Sequence, residues 1–274
     1  QKRLLGPGSL PPLPLIAAVW YWMMLLTIPG WITAFGLGIA FWGWMFLTCF
    51  LEVPGNVLLL RSLKQTELSI FGPLSSFKPV ISLLVAFLLF GERTNLWGLL
   101  GVVVVLVGTA LLTSEPPRAT AEVPLTARRA GIRDRLLAVL LTAVASVFLK
   151  QGMAGHSELQ VLAVWCMLSW LLAAVWLAGH ALWTRRHVRS RPAPLDPRQR
   201  KAIFIIALSM LLMQACTISL FARMPVGYAL ALFQIGSLVS VILGHRMFGE
   251  TDLLRRLLAA SVMIAGAVII IVLG

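Results

Sequence analysis

Residues 83–112, LLVAFLLFGERTNLWGLLGVVVVLVGTALL, consist of two apolar runs separated by a short polar turn. The same pattern recurs near the end of the chain, where an apolar run again stops at Gly-Glu and a second run follows. Residues 62–92 align without a gap with residues 220–250, and Gly108 then falls on Gly266. The constant offset of 158 residues indicates an internal repeat.

The composition predicts a membrane protein. Apolar residues make up 59% of the 274 residues, charged residues only 12%, and the mean hydropathy is +0.91. A soluble domain has about 25% charged residues. Apolar stretches recur along the chain, each near the roughly 20 residues that a helix needs to cross a hydrocarbon core. We therefore expect an all-α fold, a polytopic membrane helical bundle in the lipid bilayer.

Nine candidate spans follow from the lengths of the apolar runs. A tight turn is expected near residues 35–38, where glycines interrupt a nearly continuous apolar stretch. Two polar segments rich in Pro and Arg, 114–134 and 184–201, are predicted to be exposed connections. The nine spans are 14–34, 38–60, 68–90, 95–113, 135–154, 160–183, 202–222, 227–247 and 254–273.

Basic residues are distributed very unequally between the two sides of these spans. Of the 23 Lys and Arg residues, 19 lie in loops on one side, 3 lie in loops on the other, and Lys78 lies within a span. Because cytoplasmic loops carry the excess of Lys and Arg, the basic face is expected to be cytoplasmic in the inner (plasma) membrane. The C-terminus then lies on the opposite side. The net charge of +13 thus reflects orientation, and we expect no binding to nucleic acid.

The repeat divides the chain into two predicted halves. Residues 135–274 contain five of the spans, residues 1–113 contain four, and a cytoplasmic linker at 114–134 joins them. A helix equivalent to the first one of the second half would precede Gln1. An odd number of helices per repeat gives the two halves opposite orientations. We therefore expect two inverted-topology repeats of five helices, with the first truncated to four in this chain.

At these residues the chain resembles the drug/metabolite transporter superfamily, in particular its EamA-type members with ten helices. The resemblance rests on the apolar run, the Gly-Glu turn and the following run with spaced glycines, clear at 88–108 and weaker at 246–266. It also rests on Lys2 and Lys150, which close the first helix of each repeat. The resemblance implies alternating access around a central cavity, lined mainly by the third, fourth, eighth and ninth helices of the complete protein.

The chain departs from the family pattern in two respects. Arg256 and Ala259 stand where the first copy has Gly98 and Gly101, so the repeat does not predict close helix contacts at these positions. Ten-helix relatives usually keep both termini in the cytoplasm, whereas the loop charges here place the C-terminus outside.

Glu52 and Lys78 are charged residues within predicted spans, at similar depth from the same face. A charge at such depth is costly and marks a candidate functional site that faces protein or water. Lys78 can receive a substrate carboxylate, and Glu52 an ammonium group or a proton. Alternatively, the two residues pair only with each other, or one of them extends to the interface. The other repeat has Met210 and Gly236 at the aligned positions.

Uncharged hydrogen-bonding residues occupy two repeat-equivalent pairs of positions in the expected lining helices. Asn56 aligns with Gln214, and Ser76 aligns with Gln234. These side chains either contact substrate or form hydrogen bonds between helices.

The sequence thus predicts a secondary transporter, an exporter of a small polar or amphiphilic metabolite, with a proton as candidate coupling ion. Multidrug efflux or flipping of a lipid-linked sugar is an alternative, and a non-transporting assembly or regulatory protein is another. We expect no enzymatic activity, because the sequence has no nucleophile–base pair and no metal-ligand spacing. No cofactor or metal is expected, and the protein is expected to be a monomer or homodimer.

Overall fold

The computed structural model describes residues 11–65, 77–92, 95–113, 125–184, 197–233 and 253–273. Within these ranges every regular element is an α-helix and no strand occurs, which confirms the predicted polytopic helical class. The helices are α1 (Pro12–Leu26), α2 (Ile28–Ala34), α3 (Ile39–Gln65), α4 (Lys78–Phe90), α5 (Leu96–Thr113), α6 (Leu125–Met153), α7 (Glu158–Thr184), α8 (Pro197–Phe221), α9 (Val226–Phe233) and α10 (Leu253–Leu273).

Helices α3, α6, α7 and α8 each contain a segment long and apolar enough to cross a membrane. Helices α1 and α2 together form a further candidate span that is bent by 71°. In the part of the chain that the structure describes, α4, α5 and α10 contribute shorter apolar segments. The count of nine spans stays a prediction, because the spans predicted at 68–90 and 227–247 lie partly outside the described ranges.

The bend between α1 and α2 differs from the single span predicted at 14–34. The Thr27 hydroxyl donates hydrogen bonds of 3.0 and 3.2 Å to the carbonyl oxygens of Met23 and Met24. Pro29 lies in the first turn of α2, where it has no amide hydrogen with which to continue the helix. The turn predicted near residues 35–38 is present and separates α2 from α3.

Helix α6 begins at Leu125, ten residues before the predicted span and inside a segment that was expected to be an exposed connection. Asp134 and Arg135 are only 2% and 5% exposed, and Arg133 forms an ion pair of 3.3 Å with Asp134. Hydropathy detects only the apolar part of a helix. A basic first section, in which six of the ten residues 125–134 are Leu, Ala or Arg, all good helix formers, is therefore missed.

The chain folds into two compact units. Unit 1 comprises residues 1–61 and 148–222, and unit 2 comprises residues 62–147 and 223–274. Unit 1 therefore contains α1, α2, most of α3, α7 and α8. Unit 2 contains α4, α5, most of α6, α9 and α10. Each unit combines helices from both sequence halves, including repeat equivalents: α3 with α8 in unit 1, and α5 with α10 in unit 2.

Within unit 2, α5 and α10 cross at small residues. A β-carbon added at Gly101 would lie 2.8 Å from the carbonyl oxygen of Gly266, and one added at Gly108 would lie 3.0 Å from that of Ala259. At the offset of 158 residues, Gly101 aligns with Ala259 and Gly108 with Gly266. The contact between Gly101 and Gly266 is therefore the repeat equivalent of the contact between Ala259 and Gly108. The repeat alone did not predict a close contact at Ala259. The contact is present because Gly108, on the opposing helix, lacks a side chain.

The first Gly-Glu turn closes a helical hairpin in unit 2. Gly91 ends α4 in the left-handed region, with φ of 63°, which glycine adopts without steric cost. The side chain of Asn95 accepts a hydrogen bond of 3.3 Å from the amide of Trp97 and donates one of 2.8 Å to the carbonyl oxygen of Leu273. The polar turn thus caps α5 and holds the end of α10. The equivalent turn at Glu250 lies outside the described residues.

Candidate functional site

Glu52 lies on α3, half-buried, and its carboxylate contacts a tryptophan of α7. The Trp165 indole nitrogen donates a hydrogen bond of 2.6 Å to Glu52 Oε2. Trp165 itself is only 3% exposed. A hydrogen bond to an ionised oxygen is shorter and stronger than one between neutral groups. The acid that the sequence places deep in a span is therefore held by protein within unit 1.

Buried sulfur and hydroxyl groups lie beside this contact. The Cys49 thiol donates to the carbonyl oxygen of Trp165 over 3.7 Å, and the Ser169 hydroxyl donates to Cys49 Sγ over 3.4 Å. Cys49 and Ser169 have no exposed surface. Cys49 lies one turn before Glu52 on α3, and Ser169 lies one turn after Trp165 on α7. These contacts fix the register of the two helices around the carboxylate.

The indole of Trp165 is also held from α1. Trp20 packs edge-on against it with the ring centroids 6.2 Å apart, and Trp20 is only 2% exposed. Helix α7 begins with a reciprocal cap, in which the side chains and amides of Ser157 and Gln160 bond each other at 3.2 and 3.3 Å. Gln160 Nε2 donates a further bond of 2.9 Å to the carbonyl oxygen of Thr33 in α2. The position of Trp165 is thus determined by several elements of unit 1.

A small cavity begins one helical turn beyond Glu52. Asn56 lines it and donates a hydrogen bond of 3.0 Å to the backbone oxygen of Glu52. The cavity measures about 60 Å³, which is room for a few water molecules. Met210, which aligns with Glu52 in the repeat, also lines it. The other lining residues are apolar and come from α1, α3 and α8: Leu15, Ile16, Val19, Trp20, Leu59, Leu60 and Ile206.

The other candidate residues are dispersed. Lys78 is the first residue of α4 and belongs to unit 2, so the ion pair with Glu52 stays a prediction. Gln214 is buried in α8, 7% exposed, and is not among the residues that line the cavity. Ser76 and Gln234 lie outside the described residues. Of the six candidates, the structure brings together Glu52 and Asn56.

Trp165 is the residue that sequence reasoning missed. The chain has ten tryptophans, and the sequence does not show which of them faces an acid on another helix. One general signal was available, because the tryptophan indole is purely a hydrogen-bond donor and a buried carboxylate needs donors. Among the described residues, no group of three His, Cys, Asp or Glu side chains is placed to hold a metal ion.

The helical fold, with a half-buried carboxylate beside an apolar cavity, is that of a polytopic membrane protein. The sequence profile of the EamA-like transporter family matches residues 14–114 and 135–272. The chain therefore belongs to the EamA-like transporter family, as the resemblance predicted. It is a multi-pass membrane transporter of the drug/metabolite type, and members of this family are transporters rather than enzymes.

Solved structures agree with this fold. One, described only as "Crystal structure of protein", superposes with a TM-score of 0.71 at 17% sequence identity, over 97% of this chain and 89% of that chain. Similarity at this level of identity shows the fold alone. A search of curated proteins finds no match to the chain.

Proposed function

We propose that the protein is a secondary transporter that exports a small polar or amphiphilic metabolite, with Glu52 as the group that couples transport to protons. The observation that carries this proposal is the hydrogen bond of 2.6 Å from Trp165 to Glu52, one helical turn from the cavity. Ionisable residues at membrane depth mark substrate and proton pathways. Among the described residues that line the cavity, none is acidic.

A carboxylate in this position can exist in two states. When ionised, it accepts the Trp165 hydrogen bond and is stabilised by that donor. When protonated, it becomes a donor and can enter an apolar environment at lower cost. Binding and release of one proton at Glu52 therefore change the charge of the site, which is what coupling to a proton gradient requires.

The cavity supports transport by alternating access. Its volume of about 60 Å³ is too small for a metabolite, so a substrate needs the helices around it to separate. Helices α3 and α8, which both line the cavity, are repeat equivalents. In transporters built from inverted repeats, rocking of such equivalent elements opens the site to one side and then the other.

The remaining parts of the proposal concern contacts and placement. Lys78 would receive a carboxylate of the substrate. Asn56, Ser76, Gln214 and Gln234 would supply uncharged hydrogen bonds. The protein would lie in the inner (plasma) membrane with its basic loops in the cytoplasm, and would act as a monomer or homodimer. The sequence halves 1–113 and 135–274, joined by residues 114–134, would be the two inverted repeats.

Flux measurements on the full-length protein in sealed vesicles test this proposal. A panel of amino acids, nucleosides and organic acids is offered with and without an imposed pH gradient. We expect at least one compound to move faster with the gradient than without it. The absence of any gradient-dependent flux across the panel would reject proton coupling.

The apolar cavity lining favours one second candidate, multidrug efflux. Eight of the nine lining residues are apolar and Asn56 is the polar one, a composition suited to lipophilic ligands. The same vesicles distinguish the two functions when lipophilic cations are added to the panel. Gradient-driven efflux of several unrelated cations, without flux of polar metabolites, would favour the second function. Flipping of a lipid-linked sugar would show as transfer of a labelled lipid between leaflets.

A further inference from the structure

A second and larger concavity lies on the opposite face of α1 from the cavity beside Glu52. It measures about 410 Å³ and is an open groove between α1, α7 and α8. None of its lining residues lines the Glu52 cavity. Helix α1 therefore separates two distinct concave surfaces within unit 1, and the groove is independent of the proposed transport site.

Part of the groove is lined by aromatic and small apolar side chains. Tyr21 lies 6.1 Å from Trp170 and 6.0 Å from Trp22, measured between ring centroids. Ala18 and Ala174, with their small side chains, line the groove between α1 and α7. Such a surface, open on one side and lined by rings and methyl groups, suits a flexible hydrocarbon chain better than a polar metabolite.

One residue that lines the groove is basic. Arg200, an exposed residue in the first turn of α8, contributes to the lining. In the sequence, residues 184–201, which include Arg200, contain seven Lys and Arg residues. Basic pockets between membrane helices at the cytoplasmic surface bind anionic lipid headgroups. The positive charge of Arg200 therefore favours a partner that carries a phosphate group.

The length of the groove fits one leaflet. Along α1 the lining extends from Pro14 to Trp22, about 12 Å at the helical rise of 1.5 Å per residue. One half of a hydrocarbon core is about 15 Å thick. A headgroup beside Arg200 would therefore allow an acyl chain of the same leaflet to lie along the groove.

We propose that this groove binds an anionic glycerophospholipid from the leaflet on the side of the basic loops, with its phosphate at Arg200 and an acyl chain along Ala18 and Ala174. The lipid would pack against the far side of the helix that also lines the Glu52 cavity. The site does not depend on the proposed transport function.

Native mass spectrometry of the purified full chain tests the headgroup. The protein is incubated with phosphatidylglycerol or phosphatidylcholine carrying the same acyl chains. We expect more phosphatidylglycerol than phosphatidylcholine to be retained, and Arg200→Gln to lower phosphatidylglycerol retention about fivefold. The matched control is Lys201→Gln, which removes the same charge from the neighbouring exposed residue outside the lining and should change retention less than about twofold. Equal retention of the two lipids, or equal losses in the two variants, overturns the proposal.

A second pair of variants tests the acyl-chain contact without changing charge. Ala174→Phe fills the groove, whereas Val175→Phe adds bulk at a position that is 62% exposed and does not line it. We expect Ala174→Phe to lose bound phosphatidylglycerol and Val175→Phe to retain it. All variants are compared at equal helix content by circular dichroism, and Arg200→Lys, which keeps the charge, should retain lipid. Retention by Ala174→Phe at the wild-type level would place the lipid elsewhere.

Discussion

The indole nitrogen of Trp165 lies 2.6 Å from Glu52 Oε2 and donates a hydrogen bond to it, across 113 positions of sequence. The bond joins α3 of the first sequence half to α7 of the second. The repeat places Met210 at the position equivalent to Glu52, so the polar contact has no symmetric copy there. A scaffold with repeat symmetry thus contains an asymmetric site, and this asymmetry identifies the acid whose replacement is most informative.

Replacement of Glu52 by Gln removes the ionisable group and keeps the size of the side chain. We expect flux driven by a pH gradient to fall on the order of tenfold, because the site can no longer bind and release a proton. Exchange of substrate in the absence of a gradient should fall much less. Both quantities are measured in vesicles with the same amount of reconstituted protein.

The matched control for this experiment is Glu92→Gln. Glu92 belongs to the Gly-Glu turn that follows α4, a turn whose described contacts are architectural. Its replacement should leave gradient-driven flux within about twofold of wild type, because Glu92 belongs to unit 2 and does not line the cavity in unit 1. If Glu92→Gln abolished coupling while Glu52→Gln preserved it, the assignment of the two acids would be reversed.

Trp165→Phe keeps an aromatic ring beside Trp20 and removes the N–H that Glu52 accepts. A hydrogen bond to a charged group contributes about 1.5–3 kcal/mol, so we expect a loss of stability of that size. Gradient-driven flux should also decrease, because the carboxylate is no longer held by α7. Thermal unfolding of the detergent-solubilised protein measures the first effect and vesicle flux the second.

Trp176→Phe, on the same helix, provides the comparison for Trp165→Phe. Trp176 is 42% exposed, so the same chemical change should cost far less there. Equal losses of stability in the two variants would mean that the Trp165 hydrogen bond contributes nothing beyond ring packing.

The helical fold was anticipated from local sequence, whereas the close contacts of the glycines were not. Apolar runs of membrane length require helices, because every backbone polar group in lipid must be satisfied within the segment. The spaced glycines at 101 and 108 mark a surface where two backbones approach each other, and the structure places Gly266 and Ala259 against them. The helical fold depends on short-range pattern, which the sequence displays directly.

Other features depend on tertiary contacts or on a balance that hydropathy does not measure. The partner of Glu52 is set by how α3 and α7 face each other, and no spacing in the sequence identifies Trp165. The bend at Thr27 combines side-chain bonds to backbone oxygens with Pro29 in the first turn of α2, and hydropathy registers neither. The early start of α6 at Leu125 lies in a stretch too basic to be recognised as part of a span.

The close crossing of α5 and α10 leads to a prediction about stability: Gly101→Ala should destabilise the protein, whereas Gly43→Ala, away from the crossing, should not. At Gly101 the added carbon would lie 2.8 Å from the backbone oxygen of Gly266 and 2.7 Å from a side-chain carbon of Ile270, so the helices must separate. We expect Gly101→Ala to destabilise the protein by about 1–3 kcal/mol, the usual cost of overpacking. Thermal unfolding in detergent is the measurement.

Gly43, in the second turn of α3, has no atom within 4 Å of an added β-carbon. Gly43→Ala should therefore be neutral or stabilising by up to about 1 kcal/mol, because alanine favours the helix. By the repeat, Gly108→Ala should behave like Gly101→Ala. A Gly101→Ala protein as stable as Gly43→Ala would show that α5 and α10 do not approach each other this closely.

The contact between Asn95 and Leu273 leads to a prediction about the sidedness of the C-terminus. The Asn95 side chain at the start of α5 donates 2.8 Å to the carbonyl oxygen of Leu273 at the end of α10, so these two helix ends lie on the same side of unit 2. The nine-span prediction assigns the turn before Asn95 to the side with 3 basic loop residues, against 19 on the other. Alkaline phosphatase fused after residue 274 should therefore be active outside the cytoplasm, whereas green fluorescent protein fused there should be dark.

The same reporters inserted after residue 190, in the basic segment, should give the opposite result. Fluorescence at both positions would contradict the orientation that the loop charges predict, because it would place the end of α10 on the basic side.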